Sequence, residues 1–323
     1  MPKGIRTDLA LESRELYKQS NAAEVPGVEA DTQSLPDINI TRVKITTLEG
    51  SEAMGKPIGN YITLEIPDLN ENLKDLNDRT SVSLANEIRS VAKLTHEATV
   101  LVVGLGNWNV TPDALGPKVV SRIAVTRHLI EYAPEYIEKG VRAVCSLSPG
   151  VLGITGIETG EIIKGVVEKV KPDVVIAIDA LASRRMDRIS TTIQVADTGI
   201  SPGSGVGNKR MGLNQITLGV PVIAIGVPTV VDASTMANDT LDLMIDTMIK
   251  QADAGTEFYK MLQRMSGEEK SALIREVLSP YVGDLVVTPK EIDSIISNVS
   301  EVVSNGINIA VYDTMENAEK YFH

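Results

Sequence analysis

The chain has 323 residues, 43% of them hydrophobic, and carries a net charge of -12. This length is enough for one large domain, alone or with an elaboration, and the acidic balance argues against non-specific binding of nucleic acid, which depends on Lys and Arg. A single cysteine, Cys145, excludes an internal disulfide. Because no secretory signal opens the chain and no apolar run reaches the roughly 20 residues that span a bilayer, we expect a cytoplasmic protein without membrane contact.

The first hundred residues predict helices around a small antiparallel unit. A charged helical segment runs to about Val25, and the acidic, turn-rich stretch 26–36 is typical of a loop. Residues 38–47 and 61–66 largely alternate apolar and polar side chains, which predicts an antiparallel pair of strands. Helical spacing returns over residues 70–93.

From Thr99 onward the pattern becomes strand, loop, helix. The apolar run 100–103 is bounded by glycines and predicts a buried parallel strand. Further strands are predicted over 143–147, 174–178, 191–195 and 220–227. Helices are predicted over 119–130, 158–170, 232–265, 267–278 and 289–304. Alternation of this kind predicts an α/β fold with a mostly parallel sheet flanked by helices, and with a small antiparallel β elaboration at about residues 37–67.

Two aspartates follow predicted strands and are candidate catalytic groups. Asp113 lies in the loop after strand 100–103, and Asp179 comes directly after strand 174–178. Open α/β sheets bind ligands beyond the carboxyl ends of their strands. If these two strands are parallel neighbours, both carboxylates face one crevice, where one can serve as base for a water and the other as acid for the leaving group. The alternative is that each Asp only caps a helix or starts a turn.

The sequence Gly104-Leu105-Gly106-Asn107 follows the same strand. We expect Gly104, Gly106 and Asn107 to line the substrate crevice, with the glycine N–H groups helping to stabilise an oxyanion. The alternative is that the glycines only permit a tight turn. The third glycine of a dinucleotide-binding fingerprint is replaced by Asn109, so this match is weak.

Other motifs carry less information. The triplet Asp197-Thr198-Gly199 resembles the motif of pepsin-like proteases but is better explained as a turn. The glycine-rich stretch 203–210 does not follow the P-loop order, and a partly basic substrate loop fits it equally well. Cys145 lies in an apolar strand and is expected to be a structural residue. Because no His or Cys set has metal-ligand spacing, we predict neither a metal site nor a cofactor.

Taken together, several motifs resemble those of the germination protease family of spore-forming bacteria. They lie at residues 6–10, 104–107, 111–117, 148–150, 153–159, 178–181 and 226–232. The resemblance implies an aspartic-type endopeptidase that initiates degradation of small acid-soluble DNA-binding spore proteins during germination. It also implies location in the spore core, a homotetramer, no direct contact with nucleic acid, and a precursor that cuts itself. By resemblance, Asp113 and Asp179 match the two aspartates proposed as catalytic in the family.

The same resemblance implies a function for the N-terminal residues. The family cuts after an acidic residue and before a hydrophobic residue that is followed by Ala, and Asp8-Leu9-Ala10 fits this pattern. We therefore predict that residues 1–8 are a propeptide removed between Asp8 and Leu9, and that residues 9–323 form a single α/β peptidase domain. The alternative is a frayed terminus without a regulatory role.

Two other functions remain open. The residues Gly104, Asn107 and Asp113, with a later strand-end Asp, also resemble hydrogenase-maturation endopeptidases, which hold nickel with an acidic pair and a histidine. That histidine has no clear counterpart here, which favours a mechanism without metal. A metal-dependent peptidase is nevertheless the alternative within enzymes, and a nucleotide-binding or scaffolding module is the alternative outside them.

Overall fold

The structure is a computed structural model that describes residues 7–21, 23–201, 211–233, 235–237, 240, 244, 247, 248 and 285–322. The predicted glycine-rich loop 203–210, the predicted helix 267–278 and most of the predicted helix 232–265 lie outside the described residues, as do residues 1–6 of the candidate propeptide.

The described strands form one mixed sheet. They are β1 Val28–Leu35, β2 Ile38–Ile45, β3 Gly59–Glu65, β4 Val100–Gly104, β5 Val144–Leu147, β6 Val174–Ser183, β7 Thr192–Ala196, β8 Val222–Asp232 and β9 Val286–Val287. Their spatial order is β1-β2-β3-β7-β8-β6-β4-β5, with β9 paired to β8. Strands β5, β4, β6 and β8 are parallel, whereas β1, β2, β3 and β7 pair antiparallel. The predicted α/β class and the antiparallel pair near the N-terminus are confirmed.

Helices cover both faces of this sheet. They are α1 Ala10–Asn21, α2 Leu48–Met54, α3 Lys74–Ala92, α4 Leu115–Val120, α5 Arg127–Tyr132, α6 Leu152–Thr155, α7 Thr159–Val170, α8 Gln215–Leu218, α9 Ile292–Tyr312 and α10 Met315–Glu319. The largest apolar core lies under α3, α4 and α9. On the opposite face, α7 and α8 cover the parallel half of the sheet, while α1 and α2 cover the antiparallel half.

Helix α9 is the central helix of the largest core, and most of its residues are buried. Two buried amides fix its position. The Asn298 side chain donates to the carbonyl oxygen of Leu69 at 2.7 Å. The Asn308 side chain accepts from the Ala124 N–H at 3.1 Å and donates to the Arg122 carbonyl at 3.0 Å. Because an unpaired buried amide is costly, these bonds select one register of α9 against its neighbours.

Residues 26–36 are not the loop that their composition predicts. Most of them form β1, which is exposed along nearly its whole length and pairs with β2 in a continuous antiparallel ladder. The turn that joins the two strands places Asp37 at φ 62°, a left-handed conformation that Asp tolerates. An edge strand held by backbone pairing needs no apolar face, so the composition gave no strand signal.

The predicted helix 119–130 is also wrong as a single element. It is divided into α4 and α5 because Thr126 is held by the start of β5. The Thr126 N–H donates to the carbonyl of Val144 at 3.0 Å, and its hydroxyl donates to the carbonyl of Arg142 at 2.6 Å. The chain between the helices is thereby drawn onto the sheet instead of continuing as a helix.

Helix α1 is tied to the segment after β6 by a buried charge cluster. The carboxylate of Glu12 is almost completely buried and accepts the backbone N–H groups of residues 184–185 at 2.8 and 3.0 Å. The guanidinium of Arg188, also buried, contacts Glu15 at 2.7 Å and Glu65 at 3.1 Å. The cluster therefore joins α1, the end of β3 and the chain that follows β6.

The backbone of α4 touches the backbone at the end of β4. A Cβ atom at Gly116 would lie 2.2 Å from the carbonyl oxygen of Leu105, and one at Gly104 would lie 2.2 Å from the carbonyl oxygen of Gly116. Both separations are far below van der Waals contact, and the opposing atoms belong to the main chain. Glycine at these two positions is what allows the strand end and the helix to meet.

Arg188→Met is expected to lower the free energy of unfolding by about 3 kcal/mol, because it leaves buried carboxylates without their counter-ion. The matched control is Arg185→Met, since Arg185 pairs with Asp187 while its side chain remains 52% exposed. That variant should lose less than about 1 kcal/mol. Equal losses in thermal unfolding of the two variants would contradict a dominant role for the Arg188 cluster.

Gly116→Ala is expected to destabilise the chain by about 1–3 kcal/mol or more, because the added methyl group meets main-chain atoms that cannot rotate away. Gly165→Ala in α7 is the control. A Cβ at Gly165 meets nothing within 4 Å, so this exchange should stabilise the helix by up to about 1 kcal/mol. Opposite shifts of the melting temperature are expected, and a neutral Gly116→Ala would refute the tight contact.

Candidate functional site

Asp113 is positioned by a closed loop after β4. It ends the 3₁₀ turn Thr111–Asp113. The Asn107 N–H lies 2.8 Å from Oδ2 of Asp113 and 3.0 Å from its carbonyl oxygen, so it can donate to both. Gly106 has φ +114°, and a Cβ there would lie 2.0 Å from the carbonyl oxygen of Asp113. The loop therefore closes only with glycine at this position, and it holds the carboxylate in one orientation.

The strands that carry the two aspartates are parallel neighbours, as predicted. The register pairs Gly104 of β4 with Ile178 of β6, and the Leu105 N–H donates to the carbonyl of Ile178 at 2.8 Å. Asp179 is the next residue along β6. The turn that carries Asp113 also contacts β6 and β8. Asp113 and Asp179 therefore both come after the last residue pair that joins β4 to β6. Their catalytic roles stay a prediction.

Asp179 lies inside a longer strand than predicted. Strand β6 continues to Ser183, and Asp179 is paired with Gly226 of β8. Its side chain is 6% exposed, and Oδ1 accepts the N–H of Ala180 at 3.0 Å. Because alternate residues of a strand point to the same face, Asp179 and Leu181 share the face that is covered by α1, α2, α7 and α8.

A cavity of about 260 Å³ lies on that face. Its lining includes Asp8, Lys56, Tyr61, Leu181, Gln194 and Gly226. Gly226 is the strand partner of Asp179, so the cavity adjoins the position of this carboxylate. Burial raises the pKa of Tyr61 to about 12, and its hydroxyl donates to the carbonyl of Pro57 at 2.8 Å. The side chain of Tyr61 therefore lines the cavity in its uncharged form.

The predicted cleavage segment occupies one end of this cavity. The Asp8 N–H donates to the carbonyl of Ala182 at 3.1 Å, and the Ala182 N–H donates to Oδ2 of Asp8 at 3.0 Å. Gln194 donates to the Asp8 carbonyl at 3.2 Å and accepts from the Ala10 N–H at 2.7 Å. Leu9 and Ala10 are fully buried. Removal of residues 1–8 stays a prediction, but the segment is bound in an ordered way.

Lys56 and Gln194 were not among the sequence candidates. Lys56 follows α2 and lines the cavity, as Asp8 does. Burial lowers the pKa of its ammonium group, and the charges of Asp8 and Glu12 partly offset this shift. Sequence gave little sign of either residue. The one hint was the polar Gln194 between Ile193 and Val195. The hydrogen-bond partners of Gln194 are distant along the chain.

The surroundings of two other sequence candidates, Asp197 and Cys145, indicate structural roles. Asp197 accepts the backbone N–H and the side-chain amide of Asn60 at 2.8 and 2.6 Å, which joins the end of β7 to β3. This contact supports the turn interpretation of that triplet. Cys145 is half-buried in β5, and burial raises the pKa of its thiol. A thiol that is protonated at neutral pH is a weak nucleophile.

Among the residues that the structure describes, no group of three or more His, Cys, Asp or Glu side chains could hold a metal ion. No helix in the described part of the chain is both long and apolar enough to cross a bilayer.

Comparison with known proteins places this architecture in a family. The model of a family described as "Germination protease" matches residues 6–263 and 249–322. The chain is 56% identical over 312 residues to the germination protease of Clostridium tetani (strain Massachusetts / E88), covering 97% of each chain.

Two further relatives give the same result. The chain is 59% identical over 308 residues to the germination protease of Caldanaerobacter subterraneus subsp. tengcongensis, covering 95% of this chain and 94% of the relative. With the germination protease of Bacillus subtilis (strain 168) it shares 45% identity over 357 aligned positions, covering 99% and 97%. On these matches, the chain belongs to the germination protease family, a family of peptide-bond hydrolases.

Proposed function

We propose that this protein is an endopeptidase in which Asp113 and Asp179 activate a water molecule against a peptide carbonyl. The observation that carries the proposal is the parallel pairing of β4 with β6, in which the last pair is Gly104 with Ile178. Asp113 lies in the loop that follows β4, and Asp179 is the next residue of β6. One carboxylate takes a proton from the water, and the other donates a proton to the leaving amine. Neither a metal nor a cofactor takes part.

The surroundings of the two groups support different roles. Asp113 accepts a backbone N–H from Asn107 and lies in a partly exposed loop, which suits an ionised carboxylate that orients the water. Asp179 lies within β6 in the middle of the sheet, where it is nearly excluded from solvent. We assign the base role to Asp113 and the acid role to Asp179.

The proposed substrates are the small acid-soluble proteins of spores, cut during germination in the spore core. Support comes from family membership, since the relatives are germination proteases. We further propose that the protein works as a homotetramer and binds neither nucleic acid nor membrane directly. Light scattering after size exclusion chromatography tests the tetramer, and a monomer at working concentration would refute it.

The protein is proposed to be made as a precursor that cuts itself between Asp8 and Leu9. The position of this segment supports the proposal, because Asp8 is bound to Ala182, three residues beyond Asp179. The segment is therefore hydrogen-bonded to the same strand that carries Asp179.

Asp113→Asn and Asp179→Asn should each lower kcat for cleavage of a spore-type substrate by at least about a thousandfold. Both should also abolish self-processing, because an amide can neither take up nor release the proton. Asp75→Asn is the control, since this carboxylate is 87% exposed on α3. Fragments are quantified by mass spectrometry, and full activity in either site variant would refute the proposed pair.

The intact mass of the purified chain should fall by the mass of residues 1–8 on incubation, and only when both aspartates are present. Asp8→Ala is expected to slow this loss, whereas Asp37→Ala, in the exposed β1–β2 turn, should not. A stable mass together with efficient cleavage of added substrate would separate peptidase activity from self-processing and refute the precursor proposal.

Chelation tests the metal-dependent alternative in the same assay. Activity is expected to persist after extended dialysis against a chelator, because the proposed mechanism uses carboxylates alone. Loss of activity that one divalent metal ion restores would instead favour a metallopeptidase using the same two acids.

A further inference from the structure

A side-chain hydrogen bond attaches the turn Thr111–Asp113 to helix α9. The hydroxyl of Thr111 donates to Oδ1 of Asp293 at 2.8 Å. Asp293 lies in the first turn of α9, and this helix contacts the turn. Because Thr111 and Asp113 belong to the same 3₁₀ turn, a contact that holds Thr111 also limits the movement of the Asp113 carboxylate.

The other hydrogen bonds described for this turn lie within the loop itself. The Asn107 N–H donates to Asp113, the Val110 N–H donates to the carbonyl of Asn107 at 3.1 Å, and the Asp113 N–H donates to the carbonyl of Val110 at 2.8 Å. Such bonds fix the shape of the loop, but they move with it if the loop tilts as a unit. The bond to Asp293 differs from them because it joins the loop to a separate element.

The start of α9 is itself anchored to the sheet. Strand β9 pairs with the end of β8, and the hydroxyl of Thr288 donates to the carbonyl of Thr229 in β8 at 2.9 Å. Ile292, the neighbour of Asp293, is buried in the largest core. Strand β8 also pairs with β6, the strand that carries Asp179. Asp293 therefore belongs to the same rigid framework as Asp179.

The two proposed catalytic aspartates have different supports. Asp179 lies within a central strand, whereas Asp113 lies on a loop. Two carboxylates that act on one water need a constant separation, and a misplacement of about 1 Å can cost about a hundredfold in rate. The hydrogen bond from Thr111 to Asp293 ties the loop to the framework that holds Asp179, so it restricts the separation of the pair.

We propose that Asp293 is a positioning residue, which holds the Asp113 loop in place relative to Asp179 by accepting the hydrogen bond from Thr111. The inference rests on the proposed peptidase function, because it concerns how the proposed catalytic pair is held. The role requires an oxygen acceptor at position 293 and does not require its negative charge. Asn in this position therefore preserves the role, whereas Ala removes it.

The test measures cleavage of a purified small acid-soluble spore protein by full-length variants. Asp293→Ala and Thr111→Val should each lower kcat by about tenfold or more and leave KM within about twofold, because the alignment of the reacting groups is lost and not the binding of substrate. Asp293→Asn and Thr111→Ser keep an acceptor and a donor, and their kcat should stay within about threefold of wild type. The double variant Asp293→Ala with Thr111→Val should lose no more than about the larger single loss.

Glu291→Ala is the matched control. It removes an exposed carboxylate from the same end of α9, so it loses the same favourable interaction with the helix dipole. Its kcat should equal that of wild type. The melting temperatures of Glu291→Ala and Asp293→Ala should fall by similar amounts, about 2–4 °C or less. A much larger fall in Asp293→Ala would show that this residue supports the fold as a whole and would overturn the positioning role.

The kinetic outcomes separate the inference from the proposed function. If Asp113→Asn is inactive while Asp293→Ala keeps the kcat of wild type, the proposed function stands and the positioning role is overturned. Equal losses in Asp293→Asn and Asp293→Ala, or losses that multiply in the double variant, also overturn it. If wild type does not cleave the spore protein, or Asp113→Asn cleaves it at the full rate, the proposed function fails and the positioning role fails with it.

Discussion

The direct contact between the main chains of β4 and α4 is the constraint on which the candidate site depends. Gly104 and Gly116 leave no side chain between the strand end and the helix. The ten or so residues that join them have no route except a compact loop over the end of the strand. That loop turns back through Gly106 and presents Asp113 to the Asn107 N–H. The carboxylate of Asp113 thus lies on a loop but is held in a fixed position, as a side chain on a strand would be.

The sequence was sufficient for the parallel half of the sheet, because buried parallel strands are continuous apolar runs that few other structures require. The position of Asp179 followed from the same runs. The sequence did not predict strand β1, because backbone hydrogen bonds to β2 hold this strand although its side chains are exposed. The sequence did not single out Lys56 and Gln194, for another reason. Gln194 binds Asp8 and Ala10, which lie more than 180 positions away in the chain, and Lys56 lines the same cavity from a distant segment. No local pattern encodes such an arrangement.

The N-terminal segment is held by two separate attachments. The Glu12 and Arg188 cluster binds α1, while Ala182 and Gln194 bind the residues before it. A cut after Asp8 would leave the first attachment intact and release three of the four hydrogen bonds of the second, keeping the one from the Ala10 N–H to Gln194. The proposed maturation therefore changes the structure only at one end of the cavity. The buried Leu9 and helix α1, which follows it, stay in place and maintain the fold.

Helix α9 has a consequence for the order of events during synthesis. It is assembled from residues 292–312, yet it completes a core whose other walls, α3 and the sheet, come from much earlier in the chain. Until the ribosome has delivered this helix, α3 and α4 cover the apolar face of the central strands only in part, so a nascent chain holds both aspartates without a finished scaffold. Chains whose core closes last in this way expose apolar surface while they grow. The same delay leaves the loop of the proposed catalytic Asp113 without its contact to this helix, the hydrogen bond from Thr111 to Asp293.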